Sequence, residues 1–174
     1  DSPDVVFAQE FTKVGGKFLY CENEHAFVES LKVLLKDNQW EAIYCPDKKL
    51  EKLLTGNSIP VDNDPGKFME MKAGLTTCEF LVSRVGSVMV SSNQAGGRRL
   101  NVFPETHMVM AFTSQLVPDL KDALKAIRKK YNGMLPSMIS NITGPSRTAD
   151  IEKTLVMGAH GPKELFVFLI EDQS

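Results

Sequence analysis

The sequence predicts an α/β fold, a mostly parallel sheet with flanking helices, and three observations predict it. Apolar runs of strand length alternate with stretches of helical period from Gly16 onward. Both strong helical stretches carry capping residues at their starts. The 174 residues, 43% of them hydrophobic, suit one domain over 1–174 with one sizeable core.

Taken in order, the first dozen residues show no clear period. The run GKFLYC, Gly16 to Cys21, then reads as a strand. A helix is expected after it, because Asn23 can cap, Glu24 suits a first turn, and Phe27, Leu31, Leu34 and Leu35 share a face. WEAIYCP, Trp40 to Pro46, reads as a second strand. Asp47 then caps a short helix bearing Leu50, Leu53 and Leu54, which Gly56 stops. Asn57 to Gly66 is turn-rich, and Lys67 to Ala73 has no decisive period.

EFLVS (Glu79 to Ser83) and SVMVSS (Ser87 to Ser92) are β-rich runs joined by RVG, and a long loop leads to the strand HMVMAFT, His107 to Thr113. The clearest helix is VPDLKDALKAIRKKYNG, with Leu120, Ala123, Leu124, Ile127 and Tyr131 in one stripe. Acids stand near its start, bases near its end, and Gly133 follows. Last come a strand SMISNI, a loop, a short helix in which Ile151 and Leu155 share a face, and the strand ELFVFLI. In such folds a ligand usually lies beyond the carboxyl ends of the strands.

Composition narrows the function classes. A net charge of −2, from 20 basic and 22 acidic residues, gives no global attraction to nucleic acid or an anionic membrane. No apolar run approaches the ~20 residues of a membrane span, so no membrane insertion is expected. Acids near the start, where a secretory signal would be basic, lead to the expectation of a cytoplasmic protein. Cys21, Cys45 and Cys78 are too dispersed for a disulfide framework or clustered metal ligands, as are His25, His107 and His160, so no metal is expected. Dinucleotide, Walker, zincin and nucleophile-elbow motifs are missing, and so is an aromatic-interleaved basic patch for nucleic acid.

The stretch ITGPSRTADIEKTLVMGAHGP, Ile142 to Pro162, carries the strongest chemical signal. If a helix begins after Gly144, its free N–H groups and dipole favour an anion, with Ser146 as cap, Arg147 as a bidentate donor and Thr148 adding a hydroxyl. Asp150 and Glu152 would repel that anion unless they brace Arg147 or handle a proton, and His160 sits in a turn before the last strand. The same residues are also ordinary helix punctuation. Arg99, in GGRRL, and His107 are further candidates for an anion pocket.

From about Ala73 to Asp172 the chain resembles the LUD domain of the lactate-utilisation protein C family. The match is densest in ITGPSRTADIEKTLVMGAHGP, with Arg99, Leu100, Pro104, His107 and Val117 to Leu120 in the family's order. The resemblance implies a fold like the sugar-isomerase and coenzyme A transferase relatives. It also implies an accessory role in oxidising L-lactate to pyruvate beside iron–sulfur partner proteins, with no redox cofactor held by this chain. The implied ligand is an organic acid or a phosphorylated cofactor. A free-standing coenzyme A- or nucleotide-using enzyme, with Asp150, Glu152 or His160 as acid or base, and a non-catalytic scaffold or regulator are the alternatives. Where the family commonly reads Ala-Glu-Thr-Gly-Thr this chain has SRVGS, so Arg84 replaces an acid and would add to an anion pocket.

Overall fold

Along ELFVFLI the apolar residues sort alternately to two cores. Leu165, Val167 and Leu169 enter one, while Phe166, Phe168 and Ile170 enter the other. A strand apolar on both faces belongs inside a covered sheet, and that is where it lies. The computed structural model describes residues 1–94, 104–145 and 162–172 in full, and the backbone of 150–151 and 154–155.

Four parallel strands form the first sheet in the order β1 (Lys17–Cys21), β10 (Glu164–Ile170), β5 (Thr106–Phe112), β2 (Ala73–Thr76). The predicted strand Trp40 to Pro46 shrinks to two bridges beyond β2: Tyr44 pairs with Gly74, and Ile43 with Val61. One face is covered by α2 (Glu24–Asn38) and α3 (Lys48–Gly56). Both helices start as their sequences require. Asn23 Oδ1 accepts from the Ala26 N–H at 2.8 Å, and Asp47 Oδ1 from the Leu50 N–H at 2.9 Å.

The opposite face packs against a second, mixed sheet in the order β6 (Leu116–Val117), β3 (Phe80–Val82), β4 (Ser87–Ser91), β7 (Ile139–Ile142). Here β4 runs antiparallel to both neighbours, whereas β3 and β6 are parallel. Alternation of strands and helices does not reveal this sheet, because its register depends on pairings across long separations. A helix the sequence did not announce, α1 (Pro3–Lys13), joins this core through Phe7 and Phe11, both fully buried. Their i, i+4 spacing was its only periodic signal, and burying each contributes about 2–3 kcal/mol.

On the outer face of the second sheet lies α4 (Leu120–Lys130), seated by Ala123 and Ile127 against Val82 and Met89. The predicted stripe is only partly used: Leu120 and Leu124 stay 42% and 37% exposed. The short helix expected around Ile151 and Leu155 is not formed either. β8 (Asp150–Ile151) and β9 (Thr154–Leu155) pair antiparallel instead, Asp150 opposite Leu155 and Ile151 opposite Thr154. Branched Ile151 and Thr154 favour extended backbone over a short helix. No described helix is long and apolar enough to cross a membrane.

Candidate functional site

The described flanks of the motif segments gather at the amino ends of the parallel strands. Gly144 has φ +78°, and a Cβ built on it would collide with the carbonyl oxygen of Val14, which ends α1 just before β1. At the far end of the motif, the Lys163 and Glu164 N–H groups donate to the Glu105 carbonyl at 2.8 and 3.1 Å, tying the start of β10 to that of β5. His107 is the second residue of β5, and Pro104 packs on Gly74 beside it. The carboxyl ends, where an α/β ligand is usually sought, hold a cleft of about 720 Å³ lined by Asn23, Glu24, Phe112, Ser114, Glu171 and Asp172. Three carboxylates make that end unsuited to an anion.

The other motif residues divide by what is described. Ser146, Arg147, Thr148, Glu152, His160 and Arg99 lie outside the described residues, and of Asp150 only the backbone is described. Because residues 150–151 pair with 154–155 as strands, an anion near Arg147 gains nothing from a helix dipole there. Arg84 is exposed and donates from Nη1 to both oxygens of Asp119, at 3.1 and 2.9 Å. It lines a pocket beside Pro3 and Val6 at the start of α1, whereas Gly144 meets Val14 at that helix's end. Eleven residues at about 1.5 Å each put roughly 16 Å of helix between the two.

His107 is 1% exposed, and its Nε2 lies 2.8 Å from Thr76 Oγ1. Burial pulls its pKa down from 6.5 to about 3, so the imidazole is neutral at ordinary pH and offers hydrogen bonding rather than charge. The unfolded chain would take up a proton at pH 6.5 that the folded chain refuses until about pH 3. Stability is therefore fully present above 6.5 and falls as the pH drops toward 3, by at most about 1.4 kcal/mol per unit. Urea unfolding at pH 7.5, 6.5 and 5.5 should show this slope in the wild type and a shallower one in His107→Asn. Equal slopes would remove His107 as the cause.

A second polar cluster centres on Glu79, which the sequence reading took only as the start of a strand. Its side chain is wholly buried yet accepts from Lys130 Nζ at 2.6 Å, Tyr131 O–H at 2.6 Å and Ser91 O–H at 2.5 Å. Burial alone would raise the carboxyl pKa. The bonds from Lys130, Ser91 and Tyr131, with the Lys130 charge, outweigh that and leave it below the ordinary value. Gln94 extends the network, accepting from the Ser91 N–H at 3.0 Å and donating to Thr77 Oγ1 at 3.1 Å. Thr77 adjoins the Thr76 that meets His107, so the two polar clusters are neighbours along one chain segment. The one local sign was an acid opening an apolar run; Lys130 and Tyr131 lie 51 and 52 residues away.

Cys21, Cys45 and Cys78 are all free and buried. Burial pushes the Cys45 and Cys78 thiols up to about 12, so both stay protonated and poorly suited to metal or redox chemistry. Among the described residues no group of three His, Cys, Asp or Glu side chains is placed to hold a metal ion.

Comparisons with known proteins point the same way as the motif. The LUD domain model matches residues 6–170. Lactate utilization protein C of Bacillus subtilis is 36% identical over 109 residues, which cover 62% of this chain and 45% of that protein. Its namesake in Anoxybacillus flavithermus is 36% identical over 100 residues, covering 58% and 44%. The chain thus spans less than half the length of these curated relatives. The crystal structure of a DUF162 family protein from Deinococcus radiodurans matches with a TM-score of 0.72 at 17% identity, over 98% of this chain and 99% of that one, a likeness of fold.

Proposed function

The chain belongs to the LUD domain family, and on that premise we propose that it serves lactate utilisation by binding a small organic acid or a phosphorylated ligand at the amino ends of the parallel strands. The observation that carries this reading is that the described flanks of the motif segments lie at the amino ends of the strands: Gly144 packs on Val14 just before β1, and Glu105, His107 and Lys163 stand at the starts of β5 and β10. Arg147 is the principal clamp, a planar donor that suits a carboxylate or phosphate bidentately, with Ser146, Thr148 and Arg99 as further donors. Neutral His107 braces the floor through Thr76. Asp150, Glu152 and His160 are the groups available for proton handling.

In this reading the chain is an accessory component of L-lactate oxidation to pyruvate, and iron–sulfur partner proteins carry the electrons. Buried, protonated Cys45 and Cys78 support that division of labour. The names of the relatives support the metabolic role.

Thermal unfolding with L-lactate, pyruvate, inorganic phosphate, ATP and coenzyme A, each added in excess, tests the clamp. A ligand at about 100 times its dissociation constant adds ~2.7 kcal/mol, a rise of roughly 5–10 °C for a chain this size. We expect one of these ligands to give that rise and Arg147→Ala, equally folded, to lose it. A shift retained in Arg147→Ala rejects the clamp. Turnover of ATP or coenzyme A without partner proteins turns the assignment to a free-standing enzyme, and no shift from any ligand turns it to a scaffold.

A further inference from the structure

The outward side of α4 carries a row of cations beside exposed leucines. Lys121, Lys125 and Lys129 follow one another at i, i+4 and i+8, and the adjoining row reads Leu120, Leu124, Arg128. All six are exposed, while the inward row of Ala123 and Ile127 is what seats the helix. Like charges at this spacing weaken a helix, and none of the four cations forms an ion pair among the described residues. By contrast Lys130, at the same helix end, is consumed by Glu79. Arg128 and Lys129 stand in the last turn, where they suit the helix dipole, but Lys121 and Lys125 do not, so stabilising the helix does not account for the whole row.

Beyond the helix, Met134, Leu135 and Met138 are 79%, 41% and 43% exposed. With Leu120 and Leu124 they make five exposed aliphatic side chains on α4 and the turn that follows it. Pro136 is buried between them, and the Ser92 N–H holds the Met138 carbonyl at 2.9 Å, so the turn is fixed to the end of β4. The chain is net negative, so this is a local cationic and apolar face on an otherwise acidic molecule.

We propose that this face, α4 with the turn to Met138, docks on an anionic lipid surface. The charge pattern calls for a dense negative partner and opposes a second copy of the same face. Long aliphatic side chains interspersed with the cations have no use on a phosphate backbone of nucleic acid. The same dispersal suits a bilayer interface, which accepts separate apolar tips beside anionic headgroups without a shaped socket. Docking is peripheral: no described helix spans a membrane.

Co-sedimentation of the full chain with vesicles of phosphatidylcholine containing 30% phosphatidylglycerol, against pure phosphatidylcholine, tests the inference. Binding should require the anionic lipid and vanish in about 0.5 M salt. Each cation near the surface is worth about fivefold, so Lys121→Glu/Lys125→Glu/Lys129→Glu should weaken it by more than about 100-fold. Leu120→Ser/Leu124→Ser should weaken it with the salt dependence kept. All these sites are exposed, and an unchanged circular dichroism spectrum shows that the variants fold. Equal binding to both vesicle types, or undiminished binding by the charge-reversed variant, overturns the proposal. So does tighter binding to a single-stranded oligonucleotide than to the vesicles, which would leave charge alone as the cause.

Discussion

Gly86→Ala is expected to lower stability by more than about 3 kcal/mol and to leave little folded protein at 37 °C. Gly86 has φ +63°, a left-handed conformation that costs alanine about 1 kcal/mol by itself. The larger part is steric. A Cβ at this position would overlap the backbone of Glu10 and Phe11 and lie 2.8 Å from the Glu10 oxygen. Backbone cannot rotate away as a side chain can, so α1 has to lift, withdrawing Phe7 and Phe11 from the core between the sheets. Val85→Ala, next door and 49% exposed, should change stability by less than about 0.5 kcal/mol. Urea unfolding of the two variants measures the contrast. A Gly86→Ala protein as stable as Val85→Ala would mean that α1 yields without cost.

Lys130→Ala is expected to cost about 2–3 kcal/mol, more than its half-exposed position suggests. The side chain itself is 49% exposed, but it supplies the charge that faces a carboxylate with none of its surface in water. Without it, Glu79 keeps only the hydroxyl donors of Ser91 and Tyr131. Access of water to the vacated place keeps the loss below that of a fully enclosed pair.

The pH dependence separates this from lost packing. In the wild type the Glu79 pKa is lowered from 4.5, so its contribution is present above pH 4.5 and fades as the pH falls through the lower folded value. In Lys130→Ala burial dominates and raises the pKa. Protonation then relieves the folded state, and the deficit relative to wild type should shrink from pH 7 toward pH 4. Denaturant titrations at pH 7, 5.5 and 4 would show it; a deficit constant across that range assigns the loss to packing alone.

Much of the first half of the chain was legible locally. Asn23 and Asp47 cap the helices their sequences announce, since a cap involves residues three apart, and Phe27 and Leu31 are buried as their spacing requires. Two apolar patterns misled for a shared reason. Leu120 and Leu124 have helical spacing but face water, and Ile151 and Leu155 have it but belong to paired strands. Periodicity reports which residues could share a face and says nothing about what stands opposite.

The candidate site divides along the same line. The residue types of the Ile142 to Pro162 motif, and the family they mark, were readable from the sequence, because a clamp for an anion depends on donors grouped in one short stretch. Which end of the sheet the motif's described flanks approach was not readable. It follows from Gly144 closing on Val14 and from Lys163 and Glu164 bonding to Glu105, contacts between segments far apart in the chain. The Glu79 network likewise exists only because α4 crosses the second sheet where β3 begins. Most strands, the helices α2, α3 and α4, the caps Asn23 and Asp47 and the residue types of the motif were legible in the sequence, since each is set by neighbours a few residues apart. The mixed second sheet, the position of the motif's described flanks and the partner of the buried carboxylate came from tertiary packing, because strand register and long-range burial are settled only when distant segments meet.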